Sequence, residues 1–294
     1  MDSTDIQTLI EDKFNYIVKS FELIGEGYDS KAYLINDEYI FKIKTSANEK
    51  KGYVKEKAIL DFLNDNLDTD ISIPKVEYFF VDEDIQIMGY KKLDGRFLST
   101  TIYENMSKDK EKSLKKDIAD FLKKLHSLDY RSIAEFRIDN KSNCKEEYEI
   151  LKNTVYDSFT EAEKKYVEGF YKRLEDTNVF SDRKCLCHND FSCNHILLDE
   201  DDKFIGVIDF GDSGIADEYC DFIYLLENSE EEIGRQFGLD ILYFYGDINI
   251  SAAIEYQELV DEYWPIETIV YGIRNNKQDF IDKGRLELDK RMGE

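Results

Sequence analysis

Apolar residues along this chain recur with two different periods, and the change of period divides it. Ile6, Leu9, Ile10 and Phe14 stand three and four apart, which predicts an opening amphipathic helix. Short runs rich in β-branched and aromatic residues follow: FELIGEG, KAYLIN and EYIFKIK, the last two joined by turn residues at Asn36 and Asp37. Residues 49–66 read as a charged helix, and VEYFFV and IQIMGYK flank the acidic turn DED as a further hairpin. The N-terminal part is therefore expected to be a five-stranded antiparallel sheet with one helix inserted. Beyond Gly95 the spacing becomes helical, beginning with SKDKEKSLKKDIADFLKKLHSL, for which Ser107 is the expected N-cap. The predicted class is α+β, with one lobe over 1–92, a mainly helical lobe over 93–294 and a hinge near 90–95. Only Pro74 and Pro265 interrupt the chain.

One β-like island lies inside the helical part: CLCHNDFSCNHILLDEDDKFIGVIDFGD. The segments ILLD, EDDK and FIGVID make a hairpin, so His188 to His195 form a loop before its first strand and Asp209 ends its second. Asp190 and Asp209 are thereby brought together. Phosphoryl transfer needs one carboxylate to orient the attacking hydroxyl and another to hold Mg²⁺, and the pattern H-x-D-x-x-x-x-N followed by D-F-G supplies both. Here it reads His188, Asp190, then Asp209-Phe210-Gly211. Upstream, IGEGYDSKAYLI places Gly25 and Gly27 between two strands, where backbone amides from Gly25 to Ser30 can close over phosphates. EYIFKIK offers Lys42 for those phosphates, and KEKAIL offers Glu56 to pair with it. A turn, a strand-edge lysine and a solvated glutamate would explain each residue singly. Their order along the chain, with the loop and D-F-G behind them, favours the nucleotide site.

The stretch CLCHNDFSCNH holds three of the five cysteines and two of the three histidines, so a zinc-binding module without catalysis stands as the alternative. Zinc sites normally draw ligands from two separated segments, whereas Cys185, Cys187, Cys193, His188 and His195 share one strand and loop. Cys185 and Cys187 alternate on a strand and are expected on one buried face. An odd number of cysteines fits reduced thiols better than disulfides. Thirty-nine basic against sixty-four acidic residues give a charge of −25, which argues against nucleic acid and favours cationic partners, although acidity also serves solubility. No run approaches the roughly 18 apolar residues of a membrane helix, and the first residues are too acidic for a signal peptide. A cytoplasmic monomer with no membrane partner is expected.

With these residues in place, the chain resembles the aminoglycoside phosphotransferases, and within them the 2″-phosphotransferases. The resemblance spans essentially the whole chain and is carried by CLCHNDFSCNH, IDFGDSGIADEYCDFIYLLE and YWPIETIVYGI. It implies a protein-kinase-like two-lobed fold, Mg²⁺ as cofactor, and transfer of the γ-phosphate of GTP, with ATP the alternative donor, to the 2″-hydroxyl of a drug. The asparagine expected five residues after Asp190 is His195, as in the resembling subgroup, which implies that His195 and Asp209 hold the metal. Glu227, Glu230, Glu231 and Glu232 form an acidic cluster; by the same resemblance Asp212 and several of these, Glu227, Glu230 and Glu231 among them, join Asp190 in facing the cationic drug, against a solvated acidic face. Trp264 and Tyr271 would line the far wall of that pocket, against ordinary core packing. Tyr90 would stand behind the purine and favour GTP, with Lys91 to Leu93 presenting backbone groups to the base. After Asp209 the chain passes toward an apparent helix with no A-P-E segment, so a small-molecule acceptor is expected. A kinase for another small cationic or hydroxylated metabolite is the alternative. His126, at a helix end, is expected to serve packing.

Overall fold

The computed structural model describes residues 3–26, 30–44, 52–138, 140–177, 179–180 and 183–293. Helix α1 (Ser3–Phe14) leads into strands β1 (Phe21–Glu26), β2 (Ser30–Ile35) and β3 (Tyr39–Lys44). Helix α2 (Gly52–Asn66) then precedes β4 (Val76–Val81) and β5 (Gln86–Lys91). These strands form the expected five-stranded sheet, in the order β1-β2-β3-β5-β4 with every neighbour antiparallel. Asn36 and Asp37 both sit at φ 55°, left-handed in the three-residue turn that joins β2 to β3. Alternation then sorts the two faces. Tyr33, Ile35, Phe41, Ile43 and Ile87 bury against Ile6 and Ile10 of α1, while Ile40, Met88 and Tyr90 join α2 in the main core. Phe41 lies flat across its partner Gly89, where a Cβ would fall 2.7 Å from the ring.

The hairpin of β8 (Ile196–Leu198) and β9 (Phe204–Val207) is extended by β6 (Arg96–Phe97), the first strand after the upper sheet. Between them come α3 (Thr100–Glu104), α4 (Lys108–His126), α5 (Asn140–Thr154) and α6 (Glu161–Asp176), then β7 (Lys184–Cys187). The Ser107 side chain caps α4 by accepting from the Lys110 N–H.

Two expectations need correction. The segment after Asp209 is not a helix: Gly214–Asp217 forms β10, antiparallel to β7, and Glu218–Phe222 and Tyr224–Leu226 are 3₁₀ turns. Strand β7 would otherwise leave its buried backbone groups unpaired, and that need overrides the local helical spacing. Pro265 does not interrupt the chain either. After α7 (Arg235–Tyr245), helix α8 (Ile250–Arg274) runs through it, and α9 (Gln278–Gly293) packs alongside with Gly284 set against the Pro265 carbonyl. Among the described residues no helix is long and apolar enough to cross a membrane.

Candidate active site

Asp190 and Asp209 lie just outside the two ends of the β8–β9 hairpin, and the backbone aims both through left-handed residues. Asn189 and Asp209 each sit at φ 65°, a conformation costly without glycine and retained where surrounding bonds enforce it. At Asn189 those bonds are visible: its N–H donates to Asp221 Oδ1 at 2.7 Å, and its side-chain amide donates to the Asp212 carbonyl at 3.0 Å. His188 is fully buried. Its Nδ1 accepts the Asp190 N–H at 3.3 Å, and its Nε2–H donates to the Ile208 carbonyl at 2.9 Å, which ties the loop to the chain leaving β9. Burial holds its pKa below the usual histidine value, in keeping with a neutral ring serving as a strut.

Asp221 is the anchor beneath this loop. Its carboxylate is fully buried and accepts from the His188 N–H at 3.0 Å, the Asn189 N–H at 2.7 Å and the His126 Nε2 at 2.9 Å. His126 bonds the Tyr245 hydroxyl through Nδ1 at 3.0 Å, so it belongs to a polar relay and not to packing alone. Glu232 buries its carboxylate under the same loop, accepting from the Cys193 N–H at 3.3 Å, and burial pushes its pKa up to about 7.

Within the site the two aspartates are held apart in charge. Burial, with Asp212 and Asp209 nearby, raises Asp190 to about 6 against the pull of His195, and the Tyr224 hydroxyl hydrogen-bonds the carboxylate. Burial also works against the Asp209 charge, but Lys42 outweighs it and brings the carboxyl down to about 2. The Lys42 ammonium sits 2.7 Å from Asp209 Oδ1 and 2.9 Å from Glu56 Oε1, joining the upper sheet, α2 and the D-F-G segment. His195 spans the two aspartates. Its Nδ1–H donates to the Asp190 carbonyl at 2.7 Å, which turns Nε2 toward Asp209 Oδ2 across 3.9 Å.

A cleft of about 510 Å³ opens over Lys42, lined also by Gly25, Ser30, Glu56, Asp209, Asp212 and Tyr271. Gly25 belongs to β1 itself, beside a register shift, and not to a loop between strands. Gly27 lies outside the described residues. Tyr90 is buried on β5 near Lys42 and Glu56, and burial raises its hydroxyl to about 12. Lys91 is exposed and Leu93 half-buried at the start of the connection to the lower part. Glu227 is half-buried, while Glu230 and Glu231 are exposed; none of the three lines this cleft. Trp264 is 39% exposed, with the Lys283 ammonium 5.4 Å from its ring centre.

The cysteine-histidine stretch does not gather into one knot. His188 and His195 are held in the loop as described, and Cys193 is buried against Glu232. Cys185 and Cys187 do share a buried face, their sulfurs 3.5 Å apart. Among the described residues the only His/Cys/Asp/Glu group close enough to hold a metal is these two with His126, whose ring nitrogens are both engaged.

Sequence reading placed Glu232 only in the acidic cluster and passed over Asp221, Tyr224 and Glu267. The last lies three residues after Trp264 and four before Tyr271 on α8, a spacing that could have marked it. Its side chain is exposed.

Residues 20–258 match the phosphotransferase enzyme family. Among solved structures, the gentamicin complex of APH(2″)-IIa shares 27% identity at a TM-score of 0.85, the match covering 98% of this chain and 96% of that one. ADP-bound aminoglycoside phosphotransferase APH(2″)-Ib shares 26% at 0.81, over 98% and 97% of the two chains. At 14% identity and a TM-score of 0.70, macrolide 2′-phosphotransferase type I, matched over 98% of each chain, has a similar fold.

Proposed function

The chain belongs to the phosphotransferase enzyme family, and from that premise we propose that it is an aminoglycoside kinase moving the γ-phosphate of a nucleoside triphosphate to the drug's 2″-hydroxyl. The observation that carries the reading is the clasp of Lys42 between Glu56 and Asp209, with His195 linking Asp209 to the Asp190 loop. Asp190 accepts a hydrogen bond from the drug hydroxyl and orients it in line with the γ-phosphate. Its raised pKa makes it a better proton acceptor than an ordinary aspartate while leaving it ionised at neutral pH. Lys42 reaches the α- and β-phosphates, and amides from Gly25 to Ser30 cover them. A Cβ at Gly25 would meet only the Ala32 Cβ, at 3.7 Å, so the bare backbone there answers no packing demand and leaves room for a phosphate.

The residues fit Mg²⁺: Asp209 stays ionised, and its second oxygen faces the His195 Nε2. Bound there, the ion would neutralise charge on the β- and γ-phosphates. Asp212, Glu227, Glu230 and Glu231 supply negative charge for the drug ammonium groups, with Trp264 and Tyr271 as the opposite wall. The nucleotide sits between lobes 1–92 and 93–294, its base edge against the backbone of Lys91 and Leu93. Tyr90 narrows the space behind the purine and favours GTP over ATP. The enzyme acts as a cytoplasmic monomer. Mass spectrometry of kanamycin or gentamicin incubated with the protein, Mg²⁺ and GTP or ATP should show one added phosphoryl group. Unmodified drug with both nucleotides would refute the assignment.

A further inference from the structure

Phosphoryl transfer leaves the sulfurs of Cys185 and Cys187 unused. Both lie on β7 near His126 at the end of α4, and the three residues are 1%, 0% and 4% exposed. One ligand-capable atom from each lies within 4.8 Å of the others, and the two sulfurs are 3.5 Å apart. A single metal ion can touch all three at that spacing, at about 2.3 Å from each thiolate and about 2.0 Å from the imidazole. Zinc held by the loop would need His188 or His195, but among the described residues the group that gathers takes its histidine from α4 instead.

Both His126 nitrogens are engaged, Nδ1 with the Tyr245 hydroxyl and Nε2 with Asp221. A ligating histidine ordinarily keeps one such partner to fix its ring, so a metal needs to displace only the other. The thiolate is the form that binds metal. The hydrogen bond with Cys187 and the nearby His126 ring hold the Cys185 thiol below the usual cysteine value, although burial opposes them. Binding exchanges two thiol protons for one divalent cation, and two thiolates, a neutral imidazole and the ion carry no net charge. Neutrality removes most of the cost of burying a cation. Sulfur and imidazole donors select Zn²⁺ or Cd²⁺ and pass over Mg²⁺, which prefers oxygen.

We propose that Cys185, Cys187 and His126 form a binding site for a soft divalent metal ion whose occupancy suppresses turnover. Cys187 directly precedes His188, and His126 shares the Asp221 carboxylate with the His188 and Asn189 amides, so drawing the ligands onto a metal displaces the loop that carries Asp190. Strand β7 pairs with β10 alone, across four residues, and local opening of that short pair admits the ion. Binding is independent of the kinase reading; only the effect on turnover rests on it. Titration of the reduced full chain with CdCl₂ should show one ion per chain and a thiolate-to-cadmium charge-transfer band, developing slowly and faster in mild urea. Cys185→Ala and Cys187→Ala should each lose the band, whereas Cys144→Ala, which removes a buried thiol of α5, should keep it. Kanamycin phosphorylation with Mg²⁺ and GTP should fall by on the order of tenfold or more as the band grows, while Cys187→Ala should be insensitive to the same cadmium. No band at one equivalent, or a band that survives in Cys187→Ala, would overturn the site. A full band with undiminished turnover, or equal inhibition of Cys187→Ala, would overturn its effect on the loop. A parent inactive before cadmium is added would refute the kinase reading, with the band still deciding the site.

Discussion

Replacing Asp221 with Asn should damage both stability and turnover, because one buried carboxylate anchors the loop that carries Asp190, the proposed catalytic residue, at two consecutive amides. Asp221 accepts from the His188 N–H, the Asn189 N–H and the His126 ring at 2.7 to 3.0 Å. A carboxamide has one acceptor oxygen and one NH₂ group, so in place of the second oxygen it presents donors to a donor. At least one buried N–H loses its partner at about 1–3 kcal/mol, and the charge assistance to the others is lost as well. Breaking a buried charged arrangement of this kind typically costs about 3–5 kcal/mol, a large part of the roughly 5–15 kcal/mol that holds a domain together. Asn189 is left-handed and directly precedes Asp190, so a loosened anchor moves the carboxylate itself. Misplacement by about 1 Å can lower kcat by on the order of 10²-fold. Urea denaturation in the cold gives the first quantity, and steady-state kinetics on the folded fraction gives the second. The nucleotide KM should change little, since Lys42 and Glu56 are held independently. A stability loss below about 1 kcal/mol with kcat within about threefold of the parent would refute the reasoning.

Asp190→Asn should lower kcat by on the order of 10²-fold or more while nucleotide still binds, and near-normal turnover would remove Asp190 from the chemistry. The native enzyme should lose activity as pH falls through about 6, where Asp190 takes up its proton; a profile flat from pH 5 to 8 would contradict this. A raised carboxyl pKa also means that charging Asp190 penalises the fold, a penalty that grows from about pH 4 to about pH 6 and then stays. Asp190→Asn should therefore be more stable than the parent at pH 8, by on the order of 1–3 kcal/mol in urea titrations. GTP should show a higher kcat/KM than ATP, and Tyr90→Ala should raise activity with ATP; equal values in the parent would dismiss the preference. Changing Glu230 and Glu231 together to Gln should raise the drug KM, less so in high salt, whereas an unchanged drug KM would return both to a solvated surface.

The upper sheet was legible because its pattern is local: alternating faces, turn residues at Asn36 and Asp37, and apolar runs of strand length. His188, Asp190 and Asp209 were legible for a related reason, since a loop and a hairpin fix their relation within about twenty residues. The stretch from Gly214 to Leu226 was misread because Ile, Tyr, Phe and Leu recur there as on a helix, and only the distant strand β7 makes part of it a strand. Asp221, Glu232 and His126 looked like ordinary polar residues, and their roles exist only through contacts 33, 39 and 95 positions away in the chain. Gly25 shows a smaller failure of the same kind, because the sequence marks a flexible residue without saying that it lies within a strand.

Trp264 is the chain's single tryptophan, and its place on α8 makes it a built-in optical reporter. Its ring is partly open to solvent on the helical face of Glu267 and Tyr271, with a cation contributed by α9 above it. Emission excited selectively at the indole therefore comes from this one stretch of α8, proposed above as a substrate wall, with the many tyrosines silent. Arrival of a polycationic drug should displace or shield the Lys283 ammonium and change that emission, so occupancy can be followed without a label. Binding confined to the upper sheet should leave the signal where it was, so a stopped-flow trace reports arrival of the drug alone.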